Sequence, residues 1–172
     1  SQVEYKNGIK ITAEFDKLVF YIPKSANDDS ETKISDIAKK YVDTLRHVNY
    51  KAVGINPKGH FSFDNKEALK NYFVNNMLSK GAWADFCGGV RSLSIKLRYK
   101  LDSVIYNIGI EQASLRSDKS REGSILSISG NLHHSISTEH IMKSYKKVLE
   151  IIDNMDSDLN RFEDFCKLLP EA

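Results

Sequence analysis

The sequence predicts an α+β domain of two layers: a mainly antiparallel sheet with three helices, the long C-terminal one packed on the sheet. Three strand-like stretches follow one another between Val90 and Ile136, reading VRSLSIKLRYKL, VIYNIGIEQASL and GSILSISGNLHHSI. Apolar residues at helical spacing recur in three other places, two before this meander and one after it. Runs of neighbouring hairpins exclude a regular βαβ wind, because every parallel pair needs a long crossover. A chain of 172 residues suffices for one good core and is short for two, so residues 1–172 are read as a single domain.

Gly8 to Pro23 reads as a hairpin with Asp16-Lys17 as its loop. Phe15 then meets Leu18, Ala13 meets Phe20 and Ile11 meets Ile22, and Pro23 ends the pairing. One longer strand bulged at Asp16-Lys17 uses the same residues. Lys24 to Ser30 (KSANDDS) is a polar loop. The helix after it carries Ile34, Ile37, Ala38, Tyr41, Val42, Leu45 and Val48 on one stripe, and Asn49 stops it. Tyr50 to Phe63 is strand-like around Asn56-Pro57-Lys58-Gly59, a turn sequence that makes it a hairpin or a kinked strand. Asp64 opens the second helix as a capping box with Glu67. Ala68, Leu69, Tyr72, Phe73 and Met77 form its inner face, and Gly81 is placed to end it. Ala82 to Gly89 (AWADFCGG) holds the only tryptophan and reads as a cover over one edge or end of the core.

In the meander, Leu93, Ile95, Leu97, Tyr99 and Leu101 share one face, and Ser94, Lys96, Arg98 and Lys100 the other. A two-residue loop at Asp102-Ser103 pairs Leu101 with Val104, Tyr99 with Tyr106, Leu97 with Ile108 and Ile95 with Ile110. A slip by one residue would bury charges. Leu126, Ile128, Gly130 and Leu132 continue the inner face on the third strand, after a charged loop from Arg116 to Gly123. The last element has apolar residues at Ile141, Tyr145, Val148, Ile152, Met155, Leu159, Phe162, Cys166 and Leu169, alternating steps of four and three. Unbroken from about Thr138 to Leu169 it would reach roughly 48 Å, against a radius of gyration of about 16 Å for such a chain. It therefore projects or bends, and Asn154 to Asp158 (NMDSD) is its weakest helix-forming stretch.

Composition bounds the function. Charged residues at 28% and hydrophobic ones at 41% fit an ordinary globular chain, and no apolar run approaches the roughly 18 residues needed to span a bilayer. No charged-then-apolar leader opens the sequence. Cys87 and Cys166 lie far apart without metal spacing and read as free thiols of a cytoplasmic protein. A net charge of +2 points only weakly to a polyanionic partner.

No assembled chemistry emerges, so the chain is read as non-catalytic, with no cofactor. His133, His134 and His140 are the only metal candidates, but adjacent strand residues face opposite sides and no fourth ligand is evident. Cys87 beside Gly88-Gly89 resembles a nucleophile before an oxyanion turn, and equally a small apolar residue before a flexible exit. No phosphate loop occurs. Arg91, Lys96, Arg98 and Lys100 form a candidate nucleic-acid face without the ribonucleoprotein aromatic motif; a solvated sheet face is the simpler reading, so nucleic acid is not the expected partner.

Tyr50 to Asn56 (YKAVGIN), the Gly81 to Phe86 run (GAWADF) and Ser129-Gly130-Asn131 resemble an uncharacterised group of cyanobacterial proteins. The resemblance implies a cytoplasmic bacterial protein and carries over no functional residue. The residues themselves point to a protein-interaction module that self-associates as a homodimer. Leu159, Phe162, Phe165, Leu168 and Leu169 of the distal helix, about 155–169, form its contact surface, because the apolar seam outruns the sheet it covers. The alternative is an apolar small-ligand site between the sheet and this helix, with Trp83 and Phe86 in its lining.

Overall fold

The computed structural model describes residues 1–23, 33–79, 81–115 and 123–169. The stretches read as loops at 24–30 and 116–122 lie outside the described residues. The fold is α+β with antiparallel sheets. Its contacts gather into two compact units, Ser1–Lys51 with Ile136–Met155, and Ala52–Ser135 with Asp156–Ala172.

The first unit holds a three-stranded sheet in the order β1 (Gln2–Glu4), β2 (Lys10–Ala13), β3 (Leu18–Tyr21), with α1 (Ile34–Thr44) and α3 (Ile141–Asp153). β1 has only three residues, too few for a periodic signal. The turn into β2 places Gly8 at φ 82°, where a side chain would be strained. The β2–β3 turn sits one residue earlier than the sequence suggests, at Phe15-Asp16. Glu14 N donates to Lys17 O at 2.9 Å and their side chains pair at 3.0 Å. The register therefore shifts by two, to Ala13 with Leu18 and Ile11 with Phe20. An even shift preserves the inner face. Ile11 is buried, Phe20 meets the Tyr41 ring edge-on at 5.4 Å, and Phe15 is left fully exposed.

α1 ends at Leu45, one turn before Asn49, so Leu45 and Val48 remain largely exposed. The buried face of α3 is Ser144, Val148, Ile151 and Ile152, turned from the predicted seam, and Ile141 is exposed. Ser144 is satisfied by donating to Ile141 O at 2.8 Å. Tyr145 Oη donates to Asp43 at 2.5 Å, and Lys39 pairs with Asp153, tying α3 to α1.

The second unit is a five-stranded antiparallel sheet. β6 (Ser94–Leu101), β7 (Val104–Leu115) and β8 (Gly123–Ser135) lie side by side, and both β4 (Ala52–Ile55) and β5 (Lys58–Phe63) pair with β8. The Asn56-Pro57 break is thus a kink between two strands that run the same way along one neighbour. The β6–β7 register is the predicted one in all four pairs, and Asp102 takes the positive φ, 53°, that the two-residue loop needs. α2 (Lys66–Tyr72) begins one residue later than the capping box suggests, because Asn65 Oδ1 accepts from Ala68 N at 2.8 Å. It runs into a π-helical turn, Phe73–Met77, and the chain is extended by Leu78, before Gly81.

The single long helix of the sequence reading is two helices. α3 ends at Asn154, whose backbone N–H and Nδ2 both reach Glu150 O, at 3.1 and 2.8 Å. α4 (Met155–Lys167) then starts with Asp156 and Asp158 in its first turn. α4 belongs to the second unit's core. Phe162 joins Leu69, Tyr72, Phe73, Ile108, Ile110, Leu126 and Ile128 there.

Candidate binding groove

Side chains of the second sheet divide by parity. Odd residues of β4, β5 and β6 and even residues of β7 and β8 face the core; the others form a second, mainly polar face, open except where Ile125 is buried. α4 lies against the core face over Gly130. A Cβ there would fall 2.9 Å from the Phe162 ring and 3.0 Å from Pro57 Cγ, so only glycine admits this approach.

One hydrogen-bonded cluster fixes the start of α4. Asp158 is buried, 3% exposed; its Oδ2 lies 2.8 Å from His134 Nε2, and its Oδ1 accepts from Tyr106 Oη at 3.1 Å. Arg161 donates to Tyr106 Oη at 3.0 Å. Burial raises the Tyr106 pKa, the Arg161 hydrogen bond opposes that and Asp158 adds to it, so the phenol stays a donor. In the sequence Asp158 is only the end of the weak helix stretch from Asn154; its spatial partners reveal its role. His134 has no hydrogen bond to a hydroxyl or thiol among the described residues.

Next to α4, a groove of about 580 Å3 opens between the helix and β5. Phe61, Ile128, Leu159, Phe162 and Cys166 give it apolar walls, Glu163 and Lys167 of α4 a polar rim, and Lys58 and His60 border it at the edge of β5. Gly59 deepens it: a Cβ at that position would meet only Cys166 Sγ at 3.9 Å and Phe162 Cε1 at 4.0 Å. Burial pushes the Cys166 thiol pKa up, with Glu163 adding to it, which keeps the thiol protonated and a poor nucleophile.

The predicted site residues scatter around this groove. Leu159, Phe162 and Leu169 line it, and Phe165 packs on the core and meets the Tyr99 ring at 6.1 Å. Leu168 alone of the five is strongly exposed, at 81%. The distal seam is thus mainly covered within its own unit, which removes the geometric premise for a second copy. Trp83 and Phe86 do not line the groove; Trp83 sits in a 3-10 turn and Phe86 at the extended break that follows within Ala82–Gly88, 41% and 77% exposed. His133 faces the open side and contacts Ser135 Oγ at 3.1 Å, opposite to His134, while His140 caps α3 in the first unit. Among the described residues no three His, Cys, Asp or Glu side chains are placed to hold a metal ion.

Lys96, Arg98 and Lys100 lie exposed on the open face, opposite Gly109, Asn107 and Ile105; Lys58 and His60 share that face, and Arg91 is exposed ahead of β6. Lys58, Lys96, Arg98 and Lys100 form no ion pair among the described residues. Asn107 donates to Asn131 at 3.3 Å and Asn131 to Asn56 at 2.7 Å across the face. Among the described residues no Phe, Tyr or Trp occupies the open-face positions of the paired strands, and Arg98 is the one planar cation there.

No family model matches the chain, and neither a curated protein nor a solved structure matches it. No helix among the described residues is long and apolar enough to cross a membrane.

Proposed function

We propose that this chain is a non-catalytic cytoplasmic binding module, and that the groove between β5 and α4 receives an apolar group of its ligand or partner. The observation that carries the reading is the groove itself, about 580 Å3, inside the range of roughly 300–1,000 Å3 typical of ligand sites. Its lining follows the pattern of such sites, apolar walls with a few polar groups at the rim. The raised Cys166 pKa supports a binding role over a nucleophilic one, and two free cysteines support the compartment. Self-association through the distal helix is the second reading, and exposed Leu168 is what it now rests on.

The test uses 8-anilinonaphthalene-1-sulfonate as an apolar probe, with backbone amide shifts followed by NMR. Shifts should concentrate at Phe61, Ile128, Leu159 and Cys166, and Gly59→Val, which fills the floor, should abolish them while the protein stays folded. A folded Gly59→Val protein that binds the probe unchanged would overturn the reading.

A further inference from the structure

We infer that the partner of this groove is an extended peptide segment that adds to the sheet as a new strand along β5. The inference rests on the groove being the binding site and adds the chemical class of what fills it. β5 pairs with β8 and with no other strand of the described residues. Pro57 O accepts from Gly130 N at 2.9 Å, which makes Pro57 and Gly130 a bonded position in the ladder. In antiparallel pairing, bonded and non-bonded positions alternate. Gly59, Phe61 and Phe63 therefore turn their N–H and C=O toward β8, and Lys58, His60 and Ser62 turn theirs away. The far edge of the sheet gives the same parity, since the two-residue loop makes Leu101 and Val104 a bonded pair. None of the other hydrogen bonds among the described residues uses the backbone of Lys58, His60 or Ser62.

The groove thus has two chemistries along one wall. Its floor is apolar, and its β5 rim carries backbone donors and acceptors at alternate residues, about 6.8 Å apart, that no described residue occupies. A second polypeptide backbone matches that repeat, and a compact apolar molecule leaves it unused. Residues of the added strand opposite Gly59 and Phe61 would point to the core face and enter the groove. The residue opposite Lys58 would share the open face with an ammonium that has no ion-pair partner among the described residues. The fitting peptide is therefore apolar at alternate positions, with an acidic residue at the open-face position opposite Lys58.

The experiment selects binders to the full chain from a displayed library of random twelve-residue peptides, then measures the affinity of the selected sequences and of their singly N-methylated forms. The selected peptides should alternate apolar and polar residues and lose binding to Gly59→Val. N-methylation should weaken binding about tenfold at every second residue, the loss expected for one interchain hydrogen bond, and little at the residues between. His60→Pro removes an outward N–H without touching the β8 ladder, a place where an edge strand tolerates proline. It should cost about tenfold in peptide affinity and leave the anilinonaphthalene probe bound. Uniform tolerance of N-methylation, or no peptide selected while the probe still binds, overturns strand addition and leaves the groove reading standing. Loss of probe binding at the groove in the wild type overturns both.

Discussion

Beside the apolar packing of Phe162, Gly130 and Asp158 act where α4 meets its sheet. Gly130 lets the Phe162 ring approach the backbone where a Cβ would come within 3.0 Å of both Phe162 and Pro57. Gly130→Ala should destabilise the protein by about 1–3 kcal/mol through overpacking, read from urea denaturation; an unchanged midpoint would mean that the helix is free to shift. Asp158 joins the helix to two strand residues, His134 and Tyr106, at a site with almost no solvent. Asp158→Ala takes the acceptor from the Tyr106 hydroxyl proton and the partner from half-buried His134, while Arg161 still donates to Tyr106, and should cost about 2–3 kcal/mol. Asp158→Asn, which keeps an acceptor for Tyr106, should cost less. Equal losses in the two variants would show that charge, and not hydrogen bonding, holds the helix.

At the scale of elements, the β6–β7 register was legible in the sequence because every inward pair is apolar or aromatic, a slip by one residue would carry charges to the core, and the two-residue loop at Asp102-Ser103 sets which even register is used. The β2–β3 register was not, since Phe15 satisfies the alternation in either turn position and the Glu14–Lys17 pair decides it. The C-terminal seam misled for a related reason. Heptad spacing passes without a break through Asn154, but its two halves cover different units, and spacing carries no information about which surface a stripe meets. The groove was legible only as a possibility between sheet and helix. Its floor depends on Gly59, read from the sequence as part of a turn, and on a kink whose pairing the sequence left open. The two free edges of the sheet also differ. β6 shows Lys96, Arg98 and Lys100 along an edge of eight residues, a common defence against edge-to-edge pairing. Lys96→Val with Lys100→Val should therefore raise the sedimentation coefficient at micromolar concentration. A variant that stays like the wild type would leave those charges free for another role, such as holding a polyanion.

For the whole molecule, one strand edge is guarded by charge, and the other borders an apolar groove. Strand addition depends on the state of β5, and amide hydrogen exchange reads that state residue by residue. In the free protein the amides of Gly59, Phe61 and Phe63 should be protected by β8, while those of Lys58, His60 and Ser62 exchange rapidly. Adding a selected peptide should slow the second set to the rate of the first. Uniform protection along β5 before any peptide is added, or fast exchange at Lys58, His60 and Ser62 with the peptide bound, would contradict it.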